Sequence, residues 1–122
     1  MKKILYIVVP CYNEEEVLKE TTKQLGVKLE KLIQKGKVSD KSRILYVNDG
    51  SKDKTWELIE EYSRIHQLVT GICLSRNRGH QNALVAGLMT AKKYADVVIS
   101  MDADLQDDIN AIEIGRASCR ER

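Results

Sequence analysis

The chain has 122 residues, of which 43% are hydrophobic and 31% charged, the ordinary balance of one globular domain or part of one. No apolar run reaches the roughly 18–20 residues that a bilayer span requires. The formal charge of +2 comes entirely from the last eight residues, where Arg116, Arg120 and Arg122 oppose only Glu121. The remainder is balanced, which gives no electrostatic footing for a nucleic-acid partner or for direct binding to an anionic membrane.

The elements alternate along the chain. Ile4–Val9 is a short, continuous, β-branched apolar run, as expected of a strand buried on both faces. Two lysines precede it and give it the look of a small signal peptide. Its apolar part is too short, however, and polar residues follow without a cleavage site. Pro10 ends the strand. Asn13 before Glu14, Glu15 and Glu16 reads as an N-cap with an acidic first turn, and Leu18, Leu25, Leu29 and Leu32 extend a helix from about Glu14 to Gln34. Arg43–Asn48 is a second strand, closed by Asp49-Gly50-Ser51. Trp56, Ile59, Tyr62 and Ile65 share one face of a second helix. Leu68–Leu74 is a third strand. In the helix that follows, Ala83, Ala86, Gly87 and Ala91 permit close approach to a sheet. Asp96–Met101 is a fourth strand, and Asp107 or Asp108 would cap another helix.

Such alternation argues for an α/β fold with a mostly parallel sheet covered on both faces. Cys11, Cys73 and Cys119 form no CxxC or Cys/His cluster. Cys11 and Cys73 read as small buried hydrophobes in a reducing, cytoplasmic setting. From Gly115 the apolar periodicity gives way to an Arg-rich tail. Residues 115–122 are read as non-native or vector-derived, with a native C-terminus as the alternative, and 1–114 as the N-terminal part of a larger domain.

A parallel sheet gathers the carboxyl ends of its strands on one edge, where ligands bind. Pro10–Glu14, Asn48–Ser51, Arg76–His80 and Asp102–Gln106 would all meet there. Each has an ordinary reading. Asn-Asp-Gly-Ser is a turn sequence, three glutamates begin a helix, His80 is a loop residue, and Asp-x-Asp is often a helix cap. Together they suit a different ligand. Clustered carboxylates hold Mg2+ or Mn2+ together with phosphate oxygens, and such a cation neutralises a diphosphate leaving group. The Arg76–His80 loop would add positive charge. Asp49 would accept an N–H from a nucleobase, with Tyr12 packed beside the base or ribose.

The segments VPCYNEEEVL, YVNDGSKDKTWELI, SRNRGHQNALVAGL and VISMDADLQDD, in that order, resemble the inverting glycosyltransferases of family 2. The likeness is greatest to the polyprenyl-phosphate branch of bactoprenol glucosyltransferases and dolichol-phosphate mannose synthases. It implies a GT-A fold, a Rossmann-like nucleotide-binding sandwich, here ending after the fourth strand. It also implies that Pro10, Tyr12, Glu14, Asp49 and Asp102 line the nucleotide site, and that Asp104, assisted by Gln106, binds Mg2+ or Mn2+. The implied donor is a UDP- or GDP-linked sugar, UDP-glucose or a related UDP-sugar foremost, and the acceptor is a polyprenyl phosphate. The full-length parent would be membrane-associated, with its site on the cytoplasmic face.

No catalytic base is expected in these residues. The base falls downstream, so the fragment is expected to bind nucleotide weakly, if at all, and to transfer no sugar. A sheet lacking its later strands is also expected to self-associate through an exposed edge. A dinucleotide-dependent oxidoreductase would need Gly-x-Gly-x-x-Gly after the first strand, where Pro-Cys-Tyr-Asn-Glu stands. An aspartate phosphotransferase would carry its nucleophile after the first strand, not the fourth. A non-catalytic nucleotide-binding α/β module is the remaining alternative.

Overall fold

The computed structural model describes residues 2–103. In chain order it contains β1 (Leu5–Cys11), α1 (Leu18–Gln34), β2 (Arg43–Asn48), α2 (Thr55–Ile65), β3 (Val69–Cys73), α3 (His80–Lys92) and β4 (Val97–Ser100). The four strands form one sheet in the order β3-β2-β1-β4, and every pairing is parallel.

The side-chain period of two along β1 and β2 sorts the core. Leu5, Ile7, Val9, Ile44 and Tyr46 face α1 and α2, packing with Leu18, Leu25, Leu29 and Ile59. Val8, Leu45 and Val47 face α3 and meet Ala83 and Ala91. Both faces are covered, so β1 and β2 need apolar residues at nearly every position. The two faces are packed differently. The first is filled by large aliphatics and Tyr46, whose hydroxyl pairs with that of Thr22 at 2.7 Å. On the second, α3 lies almost on the sheet. A β-carbon at Gly87 would come within 2.5 Å of Val8 Cγ1 and 2.7 Å of Val47 Cγ2. The small residues expected to allow close approach do so at Ala83, Gly87 and Ala91, which are buried, whereas Ala86 is half-buried.

The chain leaves β1 in one direction through β2 and β3, then returns past β1 to form β4 on its other side. That reversal opens a crevice between the carboxyl ends of β1 and β4, the switch point of a doubly wound sheet.

Several local expectations need correction. Asn13 does not cap α1, which begins at Leu18 and has no side-chain cap. Asn13 instead adopts φ 54°, a left-handed conformation that Asn tolerates better than most residues. The amides of Glu14 and Glu15 are satisfied by Thr55, the first residue of α2, and by Asp53 of the loop before it. Ile65 sits at the last position of α2 and is 72% exposed, so the apolar face ends at Tyr62. Cys11 is buried as expected, but Cys73, at the end of edge strand β3, is exposed. Asp104, Gln106, Asp107, Asp108, Cys119 and the tail from Gly115 lie outside the described residues.

Candidate functional site

A cleft of about 240 Å³ lies at the switch point. Pro10, Cys11, Tyr12 and Glu14 reach it from the end of β1, Asp49 from β2, and Asp102 and Ala103 from β4. Asn77, Gly79, His80 and Ala83 close it from the β3–α3 side. All five described residues expected to line a nucleotide site therefore share one cleft. The volume falls below the roughly 300–1,000 Å³ of pockets that hold a whole drug-sized ligand.

Asp49 is the buried centre of the site, 3% exposed. Its backbone N–H donates to the Cys11 carbonyl at 2.8 Å, which ties β2's exit to β1. Its carboxylate accepts the Arg78 N–H at 2.7 Å and the Gly79 N–H at 3.1 Å, one on each oxygen. Each oxygen keeps a further lone pair. The Asn77 amide also donates to the Asp49 carbonyl, at 3.3 Å. Next door, Gly50 has φ +69°, and a β-carbon there would collide with the Arg76 and Asn77 backbone. The β2 turn and the β3–α3 loop are thus in backbone contact, which only glycine allows.

The β3–α3 loop does less with side chains than its Arg-rich sequence suggests. His80 lines the cleft, but Arg76 and Arg78 are exposed and are not among the lining residues. Arg78 contributes its main-chain N–H instead.

On the β4 side, Met101 donates its N–H to the Val8 carbonyl at 3.0 Å, one step beyond the strand. Asp102 is half-buried at the cleft, and Ala103 is fixed because the buried Thr21 hydroxyl of α1 donates to its carbonyl. Cys11 lies in the floor. Burial, aided by the charge of Glu14, pushes its thiol well above the ordinary range, and the S–H donates to the Val9 carbonyl at 3.4 Å. It packs in the floor as a small buried side chain, in surroundings that disfavour the thiolate.

Sequence reasoning placed the segments that carry Cys11 and Ala103 at this edge without singling out either residue, and it missed Ala83 as a lining residue and Thr21 as an anchor. All are small or apolar, and only the sheet geometry marks them. Among the described residues no three His, Cys, Asp or Glu side chains are grouped to hold a metal ion, and no helix is long and apolar enough to cross a membrane.

A four-stranded parallel sheet with a carboxylate-lined cleft at its reversal point defines a doubly wound α/β domain of the ligand-binding kind. Its particular lineage follows from comparison with known proteins. The chain belongs to glycosyl transferase family 2, whose profile matches residues 6–115. It is 54% identical over 109 residues to the uncharacterized glycosyltransferase YkoT of Bacillus subtilis (strain 168), covering 89% of this chain and 32% of that one. It is 38% identical over 106 residues to the prophage bactoprenol glucosyl transferase homolog of Escherichia coli (strain K12), covering 87% and 32%. Among solved structures, it resembles mannosyltransferase PcManGT from Pyrobaculum calidifontis in complex with GDP-Man and Mn2+. The TM-score is 0.64 at 25% identity, covering 85% of this chain and 28% of that one. The chain thus spans about a third of the length of the curated relatives it matches. The fold is the GT-A sandwich that the motifs imply.

Proposed function

We propose that these residues form the donor-binding part of a metal-dependent, inverting glycosyltransferase. In the full-length enzyme it would pass a sugar from a nucleotide sugar, UDP-glucose or a related UDP-sugar, to a polyprenyl phosphate at the cytoplasmic face of a membrane. One observation carries the reading: Pro10, Tyr12, Glu14, Asp49 and Asp102, drawn from three strand ends, line one cleft at the switch point. The similarity to a bactoprenol glucosyl transferase homolog and to a mannosyltransferase solved with GDP-Man and Mn2+ supports the substrate classes.

In this reading the aromatic face of Tyr12, 41% exposed at the cleft, packs on the base or ribose. Asp49, already rigid, accepts a base N–H on a remaining lone pair. Asp102 borders the ribose and diphosphate. The anionic groups lining the cleft are the carboxylates of Glu14, Asp49 and Asp102, oxygen donors of the class that hard divalent cations take, although the described residues by themselves do not group into a metal site. Asp104 and Gln106, two and four residues beyond Asp102, are the proposed ligands together with the diphosphate oxygens. When bound, the cation neutralises the charge of the departing diphosphate. The chain's own residues bind the nucleoside, orient it by hydrogen bonds and exclude water from its base.

Calorimetric titration with UDP, GDP, NAD and ADP, each with and without Mn2+, tests the reading. UDP or GDP is expected to bind only with the metal, and Asp104→Ala to abolish that binding. Metal-independent binding of NAD in preference to UDP and GDP overturns it.

A further inference from the structure

The loops that follow β1 and β2 are joined by side-chain-to-backbone hydrogen bonds in an alternating pattern. Three successive amides of the first loop donate to the second loop and to Thr55, the first residue of α2. Asn13 N–H reaches Ser51 Oγ at 2.9 Å, Glu14 N–H reaches Thr55 Oγ1 at 2.8 Å, and Glu15 N–H reaches Asp53 Oδ2 at 3.3 Å. Two amides of the second loop donate back. Lys52 N–H reaches Asn13 Oδ1 and Lys54 N–H reaches Glu15 Oε1, both at 2.8 Å. On both segments the odd-numbered residues supply the side chains. The arrangement stands in for the strand ladder that ends just before it, where Asp49 N–H meets the Cys11 carbonyl.

None of the five side chains lines the cleft, but the residues between and beside them do. Tyr12 and Glu14 flank Asn13, and Asp49 precedes Ser51 by two positions. The most shielded bond is that of Thr55, whose residue is fully buried and whose hydroxyl also donates to Asp53 Oδ1 at 2.5 Å. The clasp further explains the left-handed backbone of Asn13, since that conformation turns both its N–H and its side chain toward Ser51 and Lys52.

We propose that Asn13, Glu15, Ser51, Asp53 and Thr55 are positioning residues: they lock the two loops into one rigid unit that holds Tyr12 and Glu14 opposite Asp49 for the nucleoside. The proposal rests on the nucleoside reading above. A preformed wall pays its ordering entropy on folding, so binding does not have to.

The test uses the whole 122-residue chain. Thr55→Val removes the acceptor for Glu14 N–H at nearly constant volume, Thr55→Ser keeps a hydroxyl, and Leu32→Val loosens the far end of α1 as a control for simple destabilisation. With UDP and Mn2+, Thr55→Val is expected to weaken binding about tenfold, as for one shielded hydrogen bond. Thr55→Ser and Leu32→Val are expected to stay within about twofold of the unmodified chain. Hydrogen exchange without nucleotide supplies the second arm. The Glu14 amide is expected to be protected, and to exchange at least about tenfold faster in Thr55→Val while the β1 amides of Val8 and Val9 keep their protection. Equal weakening by Leu32→Val and Thr55→Val, or an unprotected Glu14 amide in the unmodified chain, overturns the clasp. Because the exchange arm uses no ligand, absence of UDP binding in the unmodified chain sinks the nucleoside reading alone.

Discussion

The two walls of the cleft are built on opposite plans. The wall made by the β1–α1 and β2–α2 loops is held by five crossing bonds from five residues, most of them near solvent. The wall made by the β3–α3 loop hangs on Asp49, whose buried carboxylate takes both the Arg78 and the Gly79 N–H. A distributed wall spreads its contribution to folding stability over five bonds, so losing one acceptor loosens the loops locally and costs little global stability. A wall on a charged anchor is less tolerant, because the Arg78 N–H loses its acceptor and the Gly79 N–H keeps only Asn77 Oδ1, at 3.1 Å.

The largest expected effect is therefore at the anchor. Asp49→Ala should cost about 3 kcal/mol in denaturant unfolding, the scale of charge-assisted bonds lost from a buried site, against about 1 kcal/mol or less for Ser51→Ala, whose hydroxyl accepts one exposed N–H. Equal costs would erase the contrast between the walls. Next comes Gly50→Ala, which combines a left-handed backbone with collision against the Arg76 and Asn77 backbone. A loss of about 2 kcal/mol is expected in the same measurement, and no loss would mean that the two turns separate freely. Gly87→Ala lies outside both walls and sharpens the comparison from a distance. Overpacking against Val8 and Val47 should outweigh the gain of about 1 kcal/mol in helix propensity, leaving a net loss of about 1 kcal/mol.

The smallest effect is the pH response of the distributed wall. Burial alone would raise the Asp53 carboxyl, but the Thr55 hydroxyl and the N–H groups of Thr55 and Glu15 outweigh it and hold it below its ordinary 3.8. A depressed carboxyl contributes stability that is fully present above the unfolded value and is lost as pH falls through the folded one. Asp53→Asn should therefore reduce the drop in melting temperature on acidification below about pH 4. An unchanged acid profile would show that Asp53 contributes nothing to the clasp.

Much of this was legible in the sequence. The strands announced themselves as apolar runs because both faces of the sheet are covered, and a parallel sheet then had to gather Pro10, Tyr12, Glu14, Asp49 and Asp102 on one edge. The start of α1 was not legible. Asn13 followed by three glutamates has the local chemistry of a cap, but the groups that satisfy those amides come from Thr55 and Asp53, about 40 residues away. Local pattern carries no information about such partners. Cys73 was misread for a related reason: an apolar run does not say which strand will be at the edge, and β3 is. The Arg76–His80 loop looked like a source of positive charge, yet its principal contribution is main-chain N–H groups, to which sequence composition is blind.

The two described thiols differ enough to make a chemical reporter. Cys73 is exposed and will be alkylated before Cys11, which is buried in the cleft floor. Iodoacetamide should reach Cys11 only when β1 and its loop open, so its labelling half-time measures that opening directly. A molecule seated above it will lengthen the half-time without touching that of Cys73, which turns occupancy of the cleft into a mass-spectrometric clock.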